Sequence, residues 1–263
     1  MYVLYKLIRL RHLSFIPANH KTPRDLKALK AGCKALGIKL EETAISDLIT
    51  FHALLDKANS QMNLTKIISW ADVVTRHYLD SLSIVLSVPS VMDEKEDIID
   101  IGSGFGVPGI PLTLIFPGNK MVMLDSVGKK INFIKSIVDT MGLANAETAL
   151  GRAEELAKKK EHRQTYSVVL SRAVAALPVL LELTLPFCRL GGVVVAMKGR
   201  RALSEVNDSE KALELLGGEI EEVVDVKRKL PFSSGQLVLV RKVSETPEMF
   251  PRKAGIPQKR PLY

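Results

Sequence analysis

The chain has 263 residues, of which 46% are apolar and 25% charged, and 37 Lys and Arg against 29 Asp and Glu give a net charge of +8. That length can bury a full α/β core and leave an appendage of roughly sixty to ninety residues, while no apolar run reaches the roughly eighteen residues that span a bilayer. Two cysteines, Cys33 and Cys188, lie far apart and outside any C-x-x-C or C-x-x-H pattern; they support neither a disulfide framework nor a zinc site, and a reducing, cytoplasmic compartment fits them. The excess positive charge favours a polyanionic partner, because Lys and Arg release the counterions condensed on phosphates.

Residues 1–16 are apolar and basic, but Lys6, Arg9, Arg11 and His12 interrupt any stretch long enough for a secretory signal, so residues 1–21 read as an atypical leader. From Thr22 to about Val88 apolar residues recur at helical spacing: Leu26, Leu29 and Ala31, then Ile45, Leu48, Ile49, Leu54 and Leu55, then Val73, Val74, Tyr78, Leu82 and Val85. An N-terminal helical region over 22–92 is predicted. Thr22-Pro23 has the form of an N-cap followed by proline at the first helical position, and Ser69 to Asp72 that of a capping box opening the third helix.

At Asp97 the texture changes to short β-branched runs separated by helical stretches. Strands are predicted at 97–101, 120–125, 146–150, 166–171, 193–198, about 220–228 and 236–242, with helices near 107–116, 128–142, 152–160 and 176–187 between the first five. Such alternation requires right-handed crossovers, hence a doubly wound, mostly parallel sheet with helices on both faces. The last two strands are joined by a loop with Pro231, Ser233, Ser234 and Gly235, too short for a helix, so they should pair antiparallel at a sheet edge. A binding domain over 93–243 is expected, followed by a basic, Pro-rich C-terminal arm over 244–263 that lies outside the core.

The strongest local signal is the run from Asp100 to Gly109 (DIGSGFGVPG), placed between a strand and a helix. At the carboxyl end of the first strand of an open parallel sheet, Gly102, Gly104 and Gly106 let the chain turn sharply and bring its amides close to a ligand. Asp125, at the end of the second strand, is placed to accept hydrogen bonds from ribose hydroxyls. Two cofactor classes fit. Gly104-x-Gly106-x-x-Gly109 satisfies the dinucleotide fingerprint, which keeps a nicotinamide-dependent oxidoreductase open. Against it, Asp100 two residues before Gly102 gives D-x-G-x-G-x-G; a carboxylate there repels a pyrophosphate but can help hold the cationic methionine end of S-adenosylmethionine, and the terminal antiparallel pair suits a methyltransferase sheet. A non-catalytic RNA-binding protein on the same scaffold is a third reading, motivated by the basic arm.

Two acceptor chemistries are argued against by absence. The fourth strand ends Leu170-Ser171-Arg172-Ala173, with no Asn/Asp-Pro-Pro-Tyr motif for exocyclic amines, and Cys188 follows Leu185-Pro186-Phe187 on an apolar helix end, where a buried thiol is expected rather than a nucleophile. The remaining motifs then resemble one family: Asn63-Leu64-Thr65; Arg76 to Leu82 (RHYLDSL); Asp100 to Leu112; Leu124-Asp125-Ser126 with Gly128-Lys129; Arg152 to Glu155; Ser171-Arg172-Ala173; Lys198-Gly199; and the tail PRKAGIPQKRPL. In this order they resemble the glucose-inhibited division protein B family, whose members methylate guanine N7 in small-subunit ribosomal RNA.

The resemblance spans about residues 40–243 and implies S-adenosylmethionine as cofactor, with contacts at Gly102, Val107, Ala153, Glu154 and Arg172 beside Asp125. It also implies small-subunit ribosomal RNA or a ribosomal particle as partner; a monomer is expected. Glu155 is read as a first-turn acid favourable to its helix dipole. Arg172 and Lys198, at the ends of the fourth and fifth strands, are expected to face one cleft and grip phosphates or the guanine edge; Arg76 and His77 are expected to line it from the helical side, with Asn63 contacting RNA or capping a turn. Lys66, Lys129, Lys130, Arg252, Lys253, Lys259 and Arg260 would complete an electrostatic track for a folded RNA. No catalytic base is nominated.

Overall fold

The computed structural model describes residues 25–93 and 95–263; the leader and the Thr22-Pro23 cap lie outside them. The chain opens with α1 (Lys27–Ala35) and α2 (Glu42–Met62). The third predicted helix is broken into α3 (Trp70–Val73), a π-helical turn (Val74–Tyr78) and α4 (Leu79–Leu82), followed by 3₁₀ turns at Ser83–Leu86 and Pro89–Asp93. Ser69 opens it as expected: its hydroxyl accepts the Asp72 N–H at 3.2 Å and donates to the Asp72 carboxylate at 2.6 Å, satisfying a backbone donor that the helix leaves unpaired.

The sheet elements then alternate: β1 (Asp97–Ile101), α5 (Gly109–Ile115), β2 (Lys120–Asp125), α6 (Gly128–Met141), β3 (Ala146–Leu150), α7 (Ala153–Leu156), β4 (Tyr166–Arg172), α8 (Leu177–Thr184) and β5 (Cys188–Lys198). Two helices absent from the sequence prediction, α9 (Ala202–Asn207) and α10 (Glu210–Leu216), precede β6 (Gly218–Asp225), a 3₁₀ turn (Val226–Arg228), β7 (Gln236–Lys242) and α11 (Ile256–Lys259). Among the described residues seven strands form one sheet in the order β3-β2-β1-β4-β5-β7-β6. The first five pair in parallel; β7 inserts antiparallel between β5 and β6. This is the doubly wound class I methyltransferase arrangement, and the topological switch point falls between β1 and β4, where carboxyl strand ends leave a crevice.

Strand parity assigns every side chain to one of two faces. Ile98, Met121, Met123, Val168, Leu170, Val193, Val195 and Met197 point to the face covered by α1, α2, the π-helical turn, α4, α5 and α6. Ile99, Ile101, Leu124, Val169, Val194, Ala196, Val238 and Val240 point to the other, covered by α7 to α10 and Phe250.

Two corrections follow. Residues 244–263 are basic and proline-rich but not a free arm. Phe250 is 4% exposed, and Arg163 donates to the carbonyls of Thr246, Pro247 and Phe250. Arg252 makes a bidentate ion pair with the fully buried Glu182, at 2.6 Å for its closest contact. Lacking periodicity, the segment is held by partners far away in sequence. Cys188 is buried, as expected, yet it begins a strand rather than ending a helix; burial pushes its thiol up to about 12, which makes it inert.

Candidate functional site

The glycine loop leaves β1 at Ile101 and reaches α5 through three residues of positive φ, Gly102 (75°), Gly104 (62°) and Gly106 (91°). A side chain is excluded at these positions for different reasons. A Cβ on Gly102 would lie 2.4 Å from Val174 Cγ2, and one on Gly106 2.6 Å from Ile110 Cγ1, whereas one on Gly104 meets nothing nearer than 4.0 Å. Gly102 and Gly106 therefore close the loop onto its neighbours; Gly104 supplies only backbone conformation and leaves open space above the turn. Val107 is buried at the start of α5.

Asp125, 6% exposed at the tip of β2, braces the loop. One carboxylate oxygen accepts the Gly104 N–H at 2.9 Å and the other the Val127 N–H at 2.9 Å, with Lys130 Nζ 3.7 Å away. Each oxygen retains a lone pair for a further donor. Asp100 does not open onto the cleft as the sequence suggested. It is fully enclosed, its Oδ2 accepting the Gly109 N–H at 3.1 Å and its Oδ1 without a partner. Burial pushes its carboxyl up to about 7, with the Gly109 amide and the Arg172 charge opposing. An enclosed, under-satisfied carboxyl beneath a glycine loop favours positive charge above it through the low dielectric rather than by contact.

Three apolar side chains that sequence reasoning missed are exposed at the same rim: Val127 after β2, Leu150 at the end of β3 and Val174 after β4 (36%, 57% and 40% exposed). The available signal was an apolar residue directly at the carboxyl end of adjacent strands. Ala153 and Glu154 open α7 beside them, both buried. Glu154 is not free to read a ligand with its whole carboxylate, because Oε1 accepts the Gly255 N–H of the C-terminal segment at 2.9 Å.

The helical region closes the opposite wall. Asn63 ends α2 in the left-handed region with φ of 50°, and its own side chain is exposed. The turn after it is held by Asn59, which bonds both the N–H and the carbonyl of Thr65. Thr65 Oγ1 lies 3.4 Å from His77 Nε2, and the His77 ring meets Phe105 of the glycine loop edge-on at 5.1 Å. His77 is 4% exposed, and burial together with the Arg172 charge lowers it to about 4. It is therefore a neutral packing group at neutral pH. Arg76, on the same π-helical turn, is exposed.

Arg172 and Lys198 do not face one cleft. Arg172 pairs in register with Met197, so Lys198 has the opposite parity and leaves on the other face. There its Nζ donates to Glu205 at 2.7 Å and to the Ala175 carbonyl at 2.5 Å, with 9% side-chain exposure, away from the face that Arg172 occupies. Arg172 turns toward the helical region and pairs with Asp80 at 3.1 Å. Of the expected basic track, Lys66, Lys129, Lys253, Lys259 and Arg260 are exposed, whereas Arg252 is consumed by Glu182 and Lys130 leans on Asp125.

A glycine cradle, a braced aspartate on the next strand and an apolar rim at the switch point define the cofactor end of a class I methyltransferase. The model of the GidB family, rRNA small subunit methyltransferase G, matches residues 44–236, and the chain belongs to that family. Ribosomal RNA small subunit methyltransferase G of Alkaliphilus metalliredigens is 38% identical over 236 residues, covering 89% of this chain and 97% of that one. The enzyme of the same name from Thermoanaerobacter pseudethanolicus is 40% identical over 241 residues, covering 91% and 99%. Among solved structures, a putative transferase from Pyrococcus horikoshii overlays 62% of this chain and 63% of its own at 12% identity with a TM-score of 0.48.

Proposed function

We propose that this protein is an S-adenosylmethionine-dependent methyltransferase that modifies guanine N7 in small-subunit ribosomal RNA, acting as a cytoplasmic monomer. Family membership over most of the chain supports the reaction. The observation that supports the cofactor is the open cradle above Gly104, flanked by Asp125 and underlain by the enclosed Asp100. The residues fit the group: Asp125 would take the ribose hydroxyls, Val127 and Leu150 would flank the purine, the loop amides and the buried carboxyl would suit a zwitterionic, sulfonium-bearing tail, and Arg172, Ala153 and Glu154 would complete the wall.

When bound, S-adenosylmethionine supplies an electrophilic methyl group on a positively charged sulfur. Guanine N7 carries an in-plane lone pair and no proton, so attack needs no general base. His77, the histidine that meets the glycine loop, is packed against Phe105 and, lowered to about 4, is a weak base. The protein's own contribution is then orientation and electrostatics: the rim holds two partners in line, and Arg76 of the helical wall faces the phosphates. Asn63, Arg76 and Lys66, exposed on that wall, contact the RNA, which is read through splayed bases and backbone shape.

Purified protein incubated with methyl-labelled S-adenosylmethionine and small-subunit RNA or particle is expected to give labelled 7-methylguanosine on nucleoside analysis. Unlabelled RNA, under conditions where a relative labels it, would overturn the assignment. Titration with S-adenosylhomocysteine and with NADH separates it from an oxidoreductase, as only the former should bind. A basic RNA-binding protein without catalysis would bind RNA but remain unaffected by Gly104→Asp.

A further inference from the structure

Asp80 has no role in the site as described so far, yet it stands where three separate elements meet. It lies on α4 and is about one-fifth exposed. Its Oδ2 is 3.1 Å from Arg172 Nε. On its other side, a Cβ built on Gly235, in the turn before β7, would come within 3.2 Å of Asp80 Oδ1 and 3.9 Å of the Lys198 carbonyl. A side chain there would press on the Asp80 carboxylate, so the turn packs directly against it. Arg172 is held a second time, because Nη2 donates to the Arg76 carbonyl of the π-helical turn at 2.7 Å.

A guanidinium is a planar fork, so fixing Nε and one Nη fixes the direction of the whole group. Strand parity explains why this happens here: Arg172 shares its face with Val168 and Leu170, the face that the helical region covers. The Arg172 charge is felt by two groups on either side, His77 in the helical wall and Asp100 beneath the glycine loop. In both groups burial is the larger cause and the Arg172 charge adds to it at His77 and opposes it at Asp100.

We propose that Asp80 is the positioning residue for Arg172, orienting its guanidinium at the cofactor rim and tying the helical wall to the methyltransferase sheet. The inference rests on the methyltransferase reading for the identity of the ligand. A pair that served only to hold the fold together would change melting temperature and leave the affinity of the folded protein for its ligand untouched. A positioning pair changes affinity, and does so through Arg172 alone.

The test is calorimetric titration of the full chain with S-adenosylhomocysteine, for wild type, Asp80→Asn, Asp80→Glu, Arg172→Lys and the Asp80→Asn/Arg172→Lys double variant, with melting curves in parallel. Asp80→Asn is expected to weaken binding about tenfold, the scale of one charge-assisted hydrogen bond. Asp80→Glu should recover part of the loss, and the double variant should bind no worse than Arg172→Lys. Binding of Asp80→Asn within about twofold of wild type, or losses that multiply in the double variant as independent sites do, would overturn the proposal. If Asp80→Asn does not fold, Asp80→Ser replaces it in both the wild-type and the Arg172→Lys background and is read by the same two criteria: a loss that vanishes in the Arg172→Lys background supports the proposal, and affinity within about twofold of wild type or losses that multiply refute it. Failure of the wild type to bind S-adenosylhomocysteine would instead defeat the functional reading itself.

Discussion

The two faces of the sheet use charge differently. On the face covered by the helical region, Arg76 and Lys66 are exposed and Arg172 reaches toward Asp80 at the rim, while Asp100 and His77 are enclosed beneath it, His77 against Phe105 of the glycine loop. On the opposite face the charges are turned inward. Glu182 is fully buried under Arg252, Lys198 closes onto Glu205, and Glu154 takes the Gly255 amide. One face keeps two cations free in solvent; the other fastens the C-terminal segment onto the core. Basic composition alone does not distinguish a surface that binds RNA from one that secures the chain.

The sharpest way to break this comparison is Arg252→Met. It leaves the Glu182 carboxylate buried without its cation and held only by the backbone N–H of residue 252, a defect that costs about 3–5 kcal/mol, so a chemical denaturation curve should show a loss of that size while RNA affinity of the folded protein stays unchanged. A weakened RNA complex with intact stability would mean that the C-terminal segment faces the substrate after all. A smaller effect, of different kind, is expected on the site side. Asp125→Ala removes the acceptor that braces Gly104 and Val127, together with the candidate ribose contact, and should raise the dissociation constant of S-adenosylhomocysteine about tenfold to a hundredfold, the range for hydrogen bonds to a charged group. Unchanged affinity in calorimetry would remove Asp125 from the cofactor site.

The smallest effect is a pH dependence. His77 titrates at about 4 in the folded chain against an ordinary 6.5, chiefly because burial disfavours its charged form. Its contribution to stability is therefore complete above pH 6.5 and is lost as pH falls toward 4. The unfolding midpoint should drop across that window, and the drop should be shallower in His77→Gln. The same slope in the variant as in the wild type would show that His77 keeps its ordinary value in the folded chain and contributes nothing to the window.

Much of the architecture was legible because it is written locally. Alternating β-branched strands and amphipathic segments placed the first four strands within a residue of where they lie, and D-x-G-x-G-x-G marked the loop together with its partner Asp125. The broken third helix was not legible, since Val74 to Tyr78 keep helical apolar spacing while the backbone opens into a π-helical turn under tertiary packing. Nor was the insertion of β7 between β5 and β6: adjacency in the chain predicts that the last two strands pair, but not which of them is the edge.

The amino-acid sequence by itself determined the fold class, the cofactor loop and the family, because glycines with special backbone conformations and residues with fixed periodicity carry their structural meaning wherever they stand. Only the tertiary structure decided which charges serve the site. Arg172 and Lys198 both end parallel strands, and a register offset of one residue sends the first to the helical wall and the second to Glu205 on the far face. Arg252 belongs to a basic tail, yet a glutamate seventy residues earlier in the chain withdraws it from solvent. Long-range pairing of this kind has no local signature, because partner and distance are set by how the helices cover each side of the sheet.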